Sequence, residues 1–600
     1  AQFDDNRLLQ TKGLFEPVRP TAPPIDHVVH AVERREPKPF LSSHLCRSSL
    51  PGSPPACIIG RFFAAPGVSP ALRPHVRRAG PAGCGTDAEA EIVNRREFVT
   101  RSLQGSLGLG ASMLLPRSLL ARELPAEIPE LSASALSAAI RERQVSCVEV
   151  MQAYLDRIHR YNPTYNAIVS LLDDEALLSE ARGADWALDR GEYRGWMHGM
   201  PHAAKDLTAV AGLRYTSGSP IYADRVATSD SGLVARMRAR GAIFIGKTNS
   251  PEFGLGSQSY NPVFGATGSA YNPTLTSGGS SGGAASGLGT RMLPVADGSD
   301  AMGSLRNPGA FNNVIGFRPS IGLVAAGDPL SKGLSTSGPM GRTTEDAVRL
   351  LHTLVADPGP DQPLALHQVL SDTGQFDVLN LRDLKIGWLG NYEGYLAMEP
   401  GVLDLCESSL ASVAAAGAVV EPTVPDFDMS ALWQCWLDLR HWSRVGMQDL
   451  YVRPDTRALL KPELVWEIEN SLALTVRDIR RANAVRSRWY RAIHRLFDRY
   501  DLLAVPTAQV FPFSKDVHWP PEIDGREMDT YHRWMEVVIA GSLAGLPVVN
   551  VPAGFDAQGR PMGMQIMGRF GDDRRVLEFA QAYEPVTGHL ERRPRLVEPA

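Results

Sequence analysis

Residues 276–306 read TSGGSSGGAASGLGTRMLPVADGSDAMGSLR and hold two serines in glycine-rich settings. Ser280 lies in GGSSGG, and Ser304 lies in MGSLR. Glycine lets the backbone approach a reacting group closely and adopt positive φ angles, so its density here predicts backbone N–H groups that point inward. Further upstream, Lys205 stands in the apolar stretch GMPHAAKDL. Two serines and a lysine in such settings indicate a nucleophile, a proton relay and a base.

These motifs and their order resemble those of the amidase signature family of serine hydrolases. The pattern is a lysine in a Lys-Asp pair, then GGSSGG, then a GSDAMGSLR-type loop, and the resemblance runs from about Leu131 to Pro594. It implies Lys205 as the general base, Ser280 as a bridging serine after a cis peptide bond, and Ser304 as the nucleophile. It also implies an α/β fold in which helices flank a large mixed β-sheet.

The resemblance assigns further roles to residues beside the two serines. The backbone N–H groups of four residues would form an oxyanion hole: Ala301, Met302, Gly303 and Ser304. Four more would support the site: Gly279, Ser281, Asp300 and the structural Arg306. Met302 departs from the pattern, because the family usually has glycine there. A residue with a Cβ costs roughly 1–2 kcal/mol in a left-handed conformation, so we expect a reshaped loop.

The composition is that of an ordinary globular protein, with 44% hydrophobic residues, 21% charged residues and a net charge of −5. A negative net charge does not indicate a basic surface of the kind that binds nucleic acid. No apolar run is long enough for stable insertion into a membrane. The cysteines form no CxxC pair and the histidines no cluster with ligand spacing, so we expect neither a metal nor a cofactor. The expected partner is a small amide substrate, and the expected state is a monomer or homodimer.

The first part of the chain does not read as part of the fold. Residues 1–92 are rich in Pro, Ala, Gly and Arg without a sustained period, which predicts a disordered or spurious extension. Residues 93–122 contain Arg95-Arg96, Phe98 and an apolar region from Leu103 to Leu115. This arrangement is typical of a twin-arginine signal and predicts export to the periplasm. The alternative is an amphipathic surface helix on a cytoplasmic protein.

Residues 126–600 predict a single catalytic domain in which helices alternate with strands. A long stretch of sequence with helical periodicity, at about 430–500, predicts a helical insertion that faces the substrate. Five side chains there are candidates for an apolar substrate pocket: Trp433, Trp436, Trp442, Met447 and Tyr451. The same stripe at helical spacing is also typical of core packing, and both interpretations stay open.

The function implied by the resemblance is cleavage of the C–N bond of amides through a Ser-Ser-Lys triad and an acyl-enzyme. Aryl amides, carbamates and esters are further expected substrates. A lysine is a base only when it is neutral, so its pKa must fall from about 10.4 towards roughly 7–8. Burial of the apolar segment before Lys205 would lower the pKa in this way.

Two alternatives remain at this point. GGSSG satisfies the G-x-S-x-G motif of α/β-hydrolases around Ser280. That motif needs a strand directly before the serine, whereas YNPTLTSGG predicts a loop. The second alternative is an inactive homologue that serves in binding or as part of an assembly, which the departure at Met302 suggests.

Overall fold

The computed structural model describes residues 127–324, 333–355, 366 and 373–599. The predicted extension (1–92) and export signal (93–122) lie outside the described residues. The strands are β1 (Ile168–Val169), β2 (Pro201–Lys205), β3 (Ile243–Thr248), β4 (Tyr260–Asn261), β5 (Gly265–Ala266), β6 (Gly268–Ser269), β7 (Asn272–Thr276), β8 (Ala296–Asp300), β9 (Ile315–Arg318), β10 (Thr336–Gly341), β11 (Lys385–Trp388), β12 (Val419–Pro422), β13 (Leu502–Pro506), β14 (Glu522–Ile523), β15 (Arg526–Glu527), β16 (Val548–Phe555) and β17 (Pro561–Met567).

The α-helices are α1 (Ala133–Arg141), α2 (Cys147–Tyr165), α3 (Asp174–Asp189), α4 (Gly232–Ala239), α5 (Gly282–Gly289), α6 (Arg306–Phe311), α7 (Thr344–Leu354), α8 (Val402–Ala415), α9 (Met429–Trp442), α10 (Gln448–Val452), α11 (Pro454–Arg457), α12 (Pro462–Ala473), α13 (Val476–Leu496), α14 (Ile539–Ala544) and α15 (Asp573–Thr587). Within the described ranges, none of these helices has the length and apolar character needed to cross a membrane.

An eight-stranded mixed sheet forms the centre of the fold, in the order β12-β11-β13-β17-β16-β9-β10-β8. β11 pairs parallel with β12 and β13, and every pair from β13 to β8 is antiparallel. β17 is buried at every position, because helices pack against the sheet. A strand that is buried on both faces has a nearly continuous apolar sequence, and the sequence of β17, PMGMQIM, is of this kind. The predicted α/β class, a large mixed sheet flanked by helices, is confirmed.

A second sheet of three strands, in the order β1-β3-β2, brings the lysine to the edge of the first. β2 reads PHAAK, is buried throughout, and ends at Lys205. His202 Nε2 on β2 lies 3.1 Å from Asp297 Oδ1 on β8, the edge strand of the large sheet. β2 is therefore held against β8, and the loop that carries Ser304 follows the last residue of β8.

The predicted loop before Ser280 is wrong in part. β7 covers Asn272–Thr276 and pairs antiparallel with β6, in a register that joins Ser269 to Asn272 across a tight turn. Thr276 N also donates to the Phe513 carbonyl at 2.8 Å. Strand pairing therefore provides hydrogen-bond partners for the backbone in a stretch where Asn272-Pro273 had suggested a loop.

The helical region predicted between about 430 and 500 contains α9 to α13. Asp428 caps α9 through hydrogen bonds from Ser430 N and Ala431 N. Thr475 and Asp478 form a capping box at the start of α13. α9 packs against both α12 and α13, so these three helices pack as one group.

Candidate active site

Lys205 lies 1% exposed at the centre of the site, and its amine contacts three serine hydroxyls. Nζ lies 2.8 Å from Ser280 Oγ, 2.9 Å from Ser281 Oγ and 3.2 Å from Ser299 Oγ. A neutral amine can donate two hydrogen bonds and accept one, so three hydroxyl partners suit the neutral form as well as the ammonium. The structure thus brings the predicted lysine and the predicted bridging serine into direct contact.

The electrostatic surroundings favour the neutral amine. Burial lowers the pKa of Lys205 from 10.5 to about 7. The carboxylates of Asp297 and Asp300 act in the opposite direction, because an ammonium would be attracted to them. Desolvation is the larger effect, so a large part of the lysine is neutral at pH 7.

The peptide bond between Gly279 and Ser280 is cis. Gly279 packs so closely that a Cβ there would lie 3.0 Å from the backbone carbon of Ser257. The Ser257 hydroxyl donates to the Gly279 carbonyl at 2.8 Å. On the other side, Ser281 N donates to the Ser304 carbonyl at 3.2 Å. These contacts hold the two serine-bearing loops together.

The loop from 301 to 304 wraps around the Asp300 carboxylate. Oδ1 accepts a hydrogen bond from Gly303 N at 2.9 Å, and Oδ2 accepts one from Leu305 N at 3.1 Å. Gly303 has φ +78°, a left-handed conformation that favours glycine. Its N–H is therefore engaged with Asp300, which corrects the predicted set of four oxyanion donors. The other three make no hydrogen bond with a described residue: Ala301 N, Met302 N and Ser304 N.

Met302 does not disturb this loop in the way expected from the sequence. Its φ is not positive, since the left-handed residue of the loop is Gly303. The Met302 side chain is 5% exposed and packs into the main hydrophobic core. The expected backbone strain at this position is therefore wrong.

Asp300 and Arg306 form a fully buried ion pair beneath the loop. Arg306 Nε lies 3.0 Å from Asp300 Oδ2, and Nη2 lies 2.9 Å from Oδ1, which is a bidentate contact. Burial raises the pKa of Asp300, but Arg306 and Arg318 lower it further, so its pKa lies below the ordinary value. Asp300 is therefore ionised and can hold the loop's N–H groups.

A central cavity of about 430 Å³ opens over the serines. Its lining includes serine hydroxyls, apolar side chains and two arginines: Ser280, Ser299, Ser304, Leu207, Phe253, Leu334, Trp436, Arg440 and Arg444. Ser304 is 8% exposed and shares this cavity with Ser280. A cavity of this size is in the range that holds small molecules.

Of the five predicted pocket residues, Trp436 lines the central cavity. Trp433 is buried under the Arg533 guanidinium, which lies 4.6 Å from its ring centroid. Trp442 is 51% exposed, because it lies six residues after Trp436 and so on the far side of α9.

The last two predicted pocket residues, Met447 and Tyr451, lie beyond the end of α9 and pack against a separate apolar cluster. The predicted pocket is therefore wrong at four of its five positions, since the lining of the cavity includes Trp436 but not Trp433, Trp442, Met447 or Tyr451.

Sequence reasoning missed three polar residues of the site. Ser299 stands two positions after Asp297 on β8, so the period of a strand places both side chains on one face, towards Lys205. Arg440 follows Trp436 by one helical turn of α9, and Arg444 comes two residues after the end of that helix. The spacing of four residues from Trp436 to Arg440, and of four more to Arg444, is the feature of the sequence that could have indicated both arginines.

Comparison with known proteins places these observations in a family. The family model Amidase matches residues 149–577. An acylamidase from Rhodococcus erythropolis is 30% identical over 470 residues, covering 77% of this chain and 97% of that protein. One chain of the glutamyl-tRNA(Gln) amidotransferase of Thiobacillus denitrificans is 31% identical over 492 residues, covering 78% of this chain and 99% of that one. The crystal structure of a bacterial aryl acylamidase of the amidase signature family superposes with a TM-score of 0.71 at 27% identity, covering 77% of this chain and 98% of that one.

The α/β-hydrolase alternative is therefore wrong, although GGSSG fits its motif. β7 ends at Thr276, short of Ser280, and the Ser280 hydroxyl contacts a lysine. The α/β architecture, the buried lysine beside Ser280 and the sequence matches agree with one another. The chain belongs to the amidase signature family, whose members act on carbon–nitrogen bonds.

Proposed function

We propose that this protein is a serine hydrolase that cleaves amides through an acyl-enzyme, with Ser304 as nucleophile, Ser280 as proton relay and Lys205 as base. The observation that carries the proposal is the Lys205 amine. It is buried, has a pKa lowered to about 7 by that burial, and lies 2.8 Å from the Ser280 hydroxyl. Family membership and the shared cavity of Ser280 and Ser304 support it further.

In the proposed reaction, neutral Lys205 takes the Ser280 hydroxyl proton while Ser280 takes that of Ser304. Ser304 Oγ then bonds to the carbonyl carbon, and the carbonyl oxygen gains the negative charge. The three unengaged N–H groups of the 301–304 loop are the donors that support this charge. As the C–N bond breaks, Ser280 gives its proton to the leaving nitrogen and regains one from the Lys205 ammonium, so the lysine is neutral again. Water releases the acyl group by the same steps in reverse.

The lining of the cavity favours amides with an apolar or aryl portion. Leu207, Phe253, Leu334 and Trp436 supply apolar surface beside the serines. The name of the acylamidase relative, at 30% identity, is in keeping with this substrate class. Carbamates and esters belong to the same proposal, because the same nucleophile attacks their carbonyl carbon.

Labelling with phenylmethanesulfonyl fluoride, followed by intact mass and peptide mapping, tests the proposal. We expect one adduct, on Ser304, and hydrolysis of acyl 4-nitroanilides that is lost in Ser304→Ala. Ser487→Ala is the matched control, since Ser487 is an exposed serine on α13. Full activity in Ser304→Ala, or an adduct on Ser280 instead, would overturn the assignment.

A further inference from the structure

One part of the lining of the central cavity is built by α9 and the residues that follow it. Trp436 and Arg440 lie one turn apart on the same face of α9, and Ser443 and Arg444 come next in the chain. All four line the cavity. The cavity thus carries two guanidinium groups beside its serine hydroxyls and apolar side chains.

Arg440 is engaged with protein groups through two of its three nitrogens. Its Nε lies 2.8 Å from Glu467 Oε1, and its Nη2 lies 3.3 Å from the Tyr531 hydroxyl. Glu467 is 0% exposed and also accepts from Tyr531, while His441 Nδ1 lies 2.9 Å from Oε2. The Glu467 charge is therefore matched by Arg440, and its oxygens already have their partners.

Arg444 has no such partner. Its Nε is buried without a hydrogen bond, and Arg444 forms no ion pair with any residue in the part of the chain that the structure describes. Burial and the neighbouring Arg440 lower the pKa of Arg444 to about 10, so its guanidinium is charged at neutral pH. With Glu467 matched by Arg440, Arg444 adds a net positive charge to the cavity.

We propose that Arg444 binds a carboxylate of the substrate, so that the preferred substrates are amides in which an apolar segment joins a carboxylate to the scissile bond. A guanidinium offers two parallel N–H donors that fit the two oxygens of a carboxylate. The apolar lining from Leu207, Phe253 and Leu334 fits the connecting segment. This inference rests on the proposed function, because it specifies the substrate of the same site.

Calorimetric titration of the full chain with 4-phenylbutyrate and with 4-phenylbutan-1-ol, a neutral ligand that the proposed activity cannot hydrolyse, tests this inference. The two ligands share an apolar portion and differ in the charge of the end group. We expect the carboxylate to bind at least tenfold more tightly, which is about 1.4 kcal/mol. Arg444→Gln should remove that preference and Arg444→Lys should keep part of it. Arg480→Gln, a change of an exposed arginine on α13, should leave it intact.

Labelling of Ser304 on the same samples separates the two proposals. A labelled Ser304 in Arg444→Gln also shows that this variant is folded. If wild type is labelled but binds both ligands equally or not at all, or if Arg444→Gln keeps the preference, the carboxylate site is refuted and the amidase proposal stands. If wild-type Ser304 is not labelled, the amidase proposal fails, and with it the role of Arg444 in substrate recognition.

Discussion

The buried lysine makes a quantitative prediction for the pH dependence of acylation. An exposed lysine with a pKa of 10.5 would be neutral in about one molecule in 3000 at pH 7, whereas a pKa of about 7 leaves about half of the molecules neutral. The difference corresponds to roughly 5 kcal/mol against the buried ammonium. Because the base acts in its neutral form, the rate should rise with pH, reach half its maximum near pH 7, and fall tenfold per pH unit below pH 6.

The assay is the rate of Ser304 labelling by phenylmethanesulfonyl fluoride between pH 5 and 10, with kcat/KM for an anilide measured alongside. Burial also raises the pKa of two other carboxyls, Glu536 and Glu584, to about 7, so a midpoint near 7 alone is ambiguous. Lys205→Met resolves this ambiguity. It should slow labelling at least about 100-fold, within the range usual for loss of a general base, and remove the sigmoidal rise.

Asp297→Asn tests the direction in which the pH midpoint of labelling moves. The Asp297 carboxylate raises the pKa of Lys205, so its neutralisation should move the midpoint below that of wild type. A wild-type midpoint near 10, or a midpoint that rises in Asp297→Asn, would refute the argument that burial of Lys205 sets the rate.

Three further substitutions probe the surroundings of the lysine and the loop. Ser299→Ala removes one of the three hydroxyl partners of the amine, and kcat/KM should fall about 2- to 13-fold, the worth of one hydrogen bond. Gly303→Ala should abolish labelling at a cost in stability, because the new Cβ would lie 1.9 Å from a neighbouring amide oxygen; Gly212→Ala, with a similar φ and open space, is the control. Arg306→Met should lower the free energy of unfolding in urea by about 3–5 kcal/mol and raise the pH midpoint of labelling, because it leaves a buried carboxylate without its bidentate partner; Arg480→Met should do neither.

The sequence predicted the fold class and the residues that meet at the site because both depend on local signals. DAMGSLR begins at the end of β8, and GGSSGG follows β7, where the sequence predicted a loop. In the structure the hydrogen bond from Ser281 N to the Ser304 carbonyl joins the two loops. Lys205 could be expected at the site because an apolar segment precedes it, and burial follows from such a segment. The roles assigned to these residues stay predictions until the variants are measured.

The pocket could not be predicted in the same way, because it depends on how α9 is rotated against the sheet. The stripe of aromatic residues on α9 is consistent with several rotations, and tertiary packing selects the one that turns Trp436 and Arg440 towards the cavity. The partners of Arg440 come from α12 and from Tyr531, far away in the sequence. Contacts of this kind leave no signal in a single sequence.

The ion pairs beneath the loop explain why burial, rather than the nearby carboxylates, sets the pKa of Lys205. Two buried carboxylates beside an amine would ordinarily hold it as an ammonium. Here Asp300 is paired with Arg306 in a bidentate contact, so much of its field at the amine is offset. Asp297 lies 3.1 Å from His202 and also accepts from the Lys205 backbone N–H. Removing Asp297 and removing Arg306 should therefore move the same pH midpoint in opposite directions, a pattern that structural damage alone would not produce.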